Sequence, residues 1–109
     1  MSEVVCDREF GILVDGVQRR IVVEWMKPCR YKGDWRCDWV IYWPARDEQS
    51  RHAIGADSTQ ALLLAMKQVS MELSTASPPA FLYTPGDDLD LPAHEFGAAF
   101  AAPAAKDPS

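Results

Sequence analysis

The chain has 109 residues, 48 % of them hydrophobic, and a formal net charge of −5. That length holds one modest core rather than two, and the acidic balance works against nucleic acid or an anionic membrane as the main partner. No apolar run nears the roughly 20 residues that span a bilayer.

The charge is unevenly placed, +1 over residues 1–46 and −6 over residues 47–109. An acidic second half reads first as a solubility device and second as a surface for a basic partner. MSEVVCDREF at the start carries neither a basic n-region nor an apolar h-region, so no secretory signal is expected. Cys6, Cys29 and Cys37 are odd in number and lack C-x-x-C spacing, which fits reduced thiols and a cytoplasmic protein.

Glu9 to Val14, Asp15-Gly16 and Val17 to Lys27 predict a β-hairpin, because Asp-Gly tolerates the positive φ of a type I′ turn. A two-residue loop sets Val14 against Val17, Ile12 against Arg19 and Phe10 against Ile21. Pro28 ends the second strand, and Arg30 to Asp34 read as a charged loop. A third strand, Trp35 to Trp43, alternates so that Trp35, Cys37, Trp39, Ile41 and Trp43 share one face and Arg36, Asp38, Val40 and Tyr42 the other. Ser50 to Ile54 is expected to be a fourth strand.

The helix is predicted over Asp57 to Ser74, where Leu62, Met66, Val69 and Leu73 form an apolar stripe flanked by Ala61 and Ala65. Asp57 and Gln60 read as a capping box with Gln60 reaching the cap residue's own N–H, and Pro78-Pro79 closes the helix region. Phe81 to Tyr83 is a candidate fifth, edge strand. The domain is expected to span residues 1–84, with 85–109 a flexible Ala/Pro-rich tail whose apolar residues are too sparse to pack. These elements predict an α+β fold, an antiparallel meander of four to five strands with one long helix on one face.

Candidate chemistry is thin. No pair of cysteines or histidines has metal-ligand spacing, no nucleophile stands beside a base, and no Gly-rich loop offers a phosphate cradle. No cofactor, metal or catalytic residue is therefore expected. The row of Trp35, Trp39 and Trp43 reads as core before it reads as a stacking platform. On the helical wheel Leu64 and Met71 fall with Lys67 away from the apolar stripe, and Leu13, Val22 and Met26 fall on the second sheet face. These six form the candidate interaction surface. The runner-up is a ligand cleft near the tryptophan strand, built from Trp39, Tyr42, Trp43 and Arg36.

The helix start, G-x-D-S-x-Q-A-L-L-x-A over Gly55 to Ala65, following the strand WRCDWVIYW, resembles a family of small bacterial proteins known only as a domain of unknown function. The likeness covers residues 9–84 and carries no function. The expected function is a non-catalytic protein-interaction module of the bacterial cytoplasm, accessory or immunity-type, whose partner is another protein or a second copy in a homodimer. The alternative is a small-ligand binder or enzyme using the tryptophan cleft.

Overall fold

A computed structural model of the chain describes residues 3–92. The protein is α+β: a five-stranded antiparallel sheet carries one helix, in the order β1 (Val4–Val14), β2 (Val17–Met26), β3 (Cys29–Tyr31), β4 (Asp34–Tyr42), β5 (Gln49–Gly55), α1 (Ser58–Ser74). The first hairpin has the expected register, Val14 opposite Val17, Ile12 opposite Arg19 and Phe10 opposite Ile21. Its turn holds Asp15 at φ 52° and Gly16 at φ 78°, the two positive values a type I′ turn requires. A second turn of this kind, Lys32 at φ 52° and Gly33 at φ 86°, joins β3 to β4 where a charged loop was expected.

β3 is in effect a continuation of β2. Trp25 faces Trp39 and Cys29 faces Arg36, so three residues of one strand lie opposite two of β4. That one-residue excess is a bulge at Lys27-Pro28, where proline cannot donate to the ladder. β4 therefore runs through the middle of the sheet with β2 and β3 on one side and β5 on the other.

Alternation sends Ile21, Val23, Trp25, Cys37, Trp39 and Ile41 to one face, all at most 2 % exposed. α1 covers β4 and β5. Its innermost residues are Ala61, Ala65, Val69 and Leu73, all fully buried, whereas Leu62 and Met66 of the expected stripe lie half-buried beside it. Small residues take the centre because the helix starts close above the sheet: a Cβ on Gly55 would lie 2.5 Å from the backbone N of Ala61. Trp39 Nε1 donates to Gln68 Oε1 at 2.8 Å, and Trp43 Nε1 to Gln49 Oε1 at 2.9 Å, which itself donates through Nε2 to Glu72. The indole N–H groups thus tie β4 and β5 to the helix while their rings fill the core. At the helix start the Gln60 N–H donates to Asp57 Oδ1, and the Gln60 side chain accepts from Ala56 N rather than from the cap residue's own N–H.

The segment after the helix covers what α1 leaves open. Arg8 donates to the backbone carbonyls of Leu89 and Asp90, and Ala80 and Leu89 belong to the core cluster. Asp87 Oδ2 accepts from the N–H groups of Tyr83 and Thr84, which holds its carboxyl below the usual carboxylate range and closes the turn leading to Leu89. Residues 85–92 of the tail expected from 85 onward are thus placed against the domain; the rest of that tail, 93–109, lies outside the described residues. The expected fifth strand at Phe81 to Tyr83 is reduced to one bridge, Gly11 opposite Phe81. Gly11 lies between the core-facing Phe10 and Ile12, so the Phe81 ring sits on the far side of β1, in space that a Cβ on Gly11 would fill.

Candidate interaction surface

The same alternation that builds the core places a second set of side chains on the sheet face away from α1. β2 contributes Val22 and Glu24, β3 Tyr31, β4 Arg36, Asp38, Val40 and Tyr42, and β5 Ser50, His52 and Ile54, a grouping fixed by the paired positions. Val22 and Val40 are half-buried, while Tyr42 is 38 % and Ile54 39 % exposed. Polar pairs flank this ridge. Arg36 Nε donates to Asp38 Oδ1 at 2.6 Å, two residues along the same strand face. The Arg36 guanidinium also lies 5.3 Å from the centre of the Tyr31 ring, which is 6.4 Å from that of His52. Tyr42 donates its hydroxyl to Glu24 Oε1 at 3.0 Å, and this bond to a carboxylate pushes the Tyr42 phenol up from its ordinary pKa.

The polar groups of this face are largely paired with one another. The Asp38 carboxylate is engaged by Arg36, not by His52 opposite it on β5. Among the described residues no group of three His, Cys, Asp or Glu side chains could hold a metal ion. The face thus has an apolar centre rimmed by paired polar groups.

The residues singled out for a ligand cleft divide between the two faces. Trp39 is 1 % and Trp43 8 % exposed on the helix side, whereas Arg36 and Tyr42 stand on the other side of the sheet, so the four cannot line one cleft. A smaller concavity of about 360 Å³ does touch Trp43, with Arg46 stacked 4.0 Å over its ring and Ala76 to Pro78 opposite. A larger groove of about 800 Å³ lies elsewhere, between the end of α1 and residues 78–91, and includes Leu13, Ser70, Ser74, Leu89 and three aspartates.

The expected interaction set also redistributes. Val22 and Met26 are half-buried, and Val22 belongs to the open face. Leu13 lines the larger groove. Leu64 packs against the core cluster, so the outward row of α1 is Leu63, Lys67 and Met71, with Leu63 45 % and Met71 37 % exposed. Four-residue spacing from Ala61, Ala65, Val69 and Leu73 would have placed that row correctly. Tyr31 was overlooked because nothing in the sequence marks Cys29–Tyr31 as a strand across Pro28, and with it went the contact that brings His52 to this face's aromatic pair.

The thiols separate by environment. Cys37 is fully buried and donates to the Met26 carbonyl, and burial pushes its pKa up to about 12; Cys29 is exposed. Keeping that thiol neutral contributes stability below the ordinary thiol pKa, and the contribution is lost as the pH rises from there towards about 12. At pH 8 an aromatic disulfide reagent should modify Cys29 at once and Cys37 only in denaturant. Rapid native labelling of Cys37 would contradict the packing of β4 under α1.

A family model described as a domain of unknown function (DUF6968) matches residues 6–80, which takes in β1 from Cys6 onward, the other four strands and the whole of α1. No curated protein and no solved structure matches the chain.

Proposed function

The chain belongs to the DUF6968 domain family, and from that premise we propose that it is a non-catalytic protein-interaction module, accessory or immunity-type, whose working surface is the open sheet face. The observation that carries this reading is the ridge of half-buried Val22 and Val40 and exposed Tyr42 and Ile54 on a sheet whose other face is already covered. A central strand paired on both sides holds such a patch in place without ordering cost on binding, which favours recognition. Three free thiols and the resemblance noted above support a bacterial cytoplasmic setting.

Capture from lysate with three forms of the chain tests the surface. A protein retained by the wild type and by Leu63→Glu but lost with Val40→Glu is the expected result, since only the latter places a charge in the ridge. Light scattering on the isolated chain then separates a second copy from a different partner: a mass near 12 kDa at every concentration excludes the homodimer. A metabolite that quenches tryptophan fluorescence, with no protein retained, would contradict the reading and favour a ligand at the Trp43 concavity.

A further inference from the structure

The two edges of the sheet are treated differently. β1 at one edge is bridged at one point, where Gly11 exchanges both backbone hydrogen bonds with Phe81, at 2.8 and 2.9 Å. β5 at the other edge pairs only with β4, through seven consecutive pairs from Trp35–Gly55 to Ile41–Gln49 without a register shift, and no described strand lies on its outer side. Gln49–Gly55 contains neither proline nor bulge, the usual devices that close an edge. Half of its backbone N–H and C=O groups therefore point outward as a template for another strand.

The side chains beside that edge select what can use it. β5 has no acidic residue, and its exposed Arg51 and His52 project to opposite faces of the sheet. The nearby carboxylates of Asp38 and Asp57 are already engaged, by Arg36 and by the helix N-terminus, while Asp47 and Glu48 lie before the strand begins. A second copy is a poor occupant. Full-length antiparallel pairing of β5 with itself is centred on His52, so it sets His52 against its own copy and makes the two Arg51 side chains diagonal neighbours. At physiological salt the net charge of −5 acts over only about 8 Å, so these local charges decide what approaches.

We propose that β5 receives an extended acidic segment of a partner protein as an added strand, with its backbone completing the ladder and its carboxylates placed beside Arg51 on one face and His52 on the other. The proposal rests on the interaction-module reading and names the partner's chemistry: His52 and Ile54 belong to both the edge and the open face, so one partner can cover both.

Fluorescence polarisation with a short labelled peptide repeating Val-Val-Glu-Glu, which puts glutamates on both faces of a strand, titrated with the full chain, tests it. Saturable binding is expected, with loss on N-methylation of alternate peptide amides, because those amides form the ladder. Arg51→Glu should weaken the glutamate peptide by about tenfold or more and gain binding of a lysine–valine counterpart, since charge complementarity sets partner choice. That gain also certifies the variant as folded. Absence of saturable binding by the wild type, equal binding of the N-methylated peptide, or an Arg51→Glu variant with unchanged preference would each overturn the edge assignment. Peptide binding that survives Arg51→Glu but is lost with Val40→Glu would overturn it while leaving the open-face reading intact.

Discussion

Replacing Trp39 with alanine should lower the melting temperature by about 15 °C or more, for a loss of about 3–5 kcal/mol. The ring is 1 % exposed at the centre of β4, under the helix, and its Nε1 donates to Gln68. The substitution removes that volume and leaves the Gln68 carbonyl without its donor. Against a total stability of about 5–15 kcal/mol for a domain of this kind, this single change brings the fold near its limit. Thermal unfolding followed by circular dichroism reads the effect. The companion change Trp39→Phe should be worse than Trp25→Phe, because Trp25 Nε1 has no hydrogen-bond partner among the described residues and gives up none. A Trp39→Ala protein that melts like the wild type would mean that α1 does not rest on this ring.

The second large effect is expected at Gly55, for a reason of space rather than backbone conformation. Any Cβ there meets the backbone of Ala61 at 2.5 Å and that of Gln60 at 2.9 Å, and neither can swing aside as a side-chain tip would. Gly55→Val must lift the first turn of α1 or open the end of the β4–β5 ladder, and should cost about 3 kcal/mol or more. Gly33→Ala is the control: Gly33 has positive φ but open space around it, so only the conformational term of about 1 kcal/mol applies. Chemical denaturation of both variants gives the comparison. If Gly33→Ala proves the more damaging, the close approach of helix to sheet is misplaced.

These two sites also mark where the sequence is legible. Alternation in WRCDWVIYW sorted Trp39 to the core and Arg36, Asp38, Val40 and Tyr42 to the other face, since strand periodicity depends only on order along the chain. The Asp-Gly turn likewise determined the first hairpin's register. The helix face was harder to read. Apolar size pointed to Leu62 and Met66, but the close approach at Gly55 leaves room above the tryptophans only for Ala61 and Ala65, a constraint that depends on contacts between distant residues. β3 escaped because Pro28 reads as a terminator, whereas it lies in a bulge within a strand that continues. Leu89 escaped because it is isolated in sequence; it packs in the core cluster because Arg8 and the Asp87 turn hold its segment in place. The open face could be drawn from parity, yet the pairing of Tyr31 with His52 beside Arg36 needed the register of three strands at once.

Photo-crosslinking in cells tests the assignment of the working surface most directly. A benzophenone amino acid replaces Tyr42 or His52 on the open face, and Leu63 on the outer helix or Tyr83 on the segment after it. Tyr42 and Tyr83 are aromatic and exposed, so both replacements preserve the fold. The account predicts a discrete protein adduct from positions 42 and 52 and none from 63 or 83. Adducts from 63 or 83 with none from 42 and 52 would contradict it.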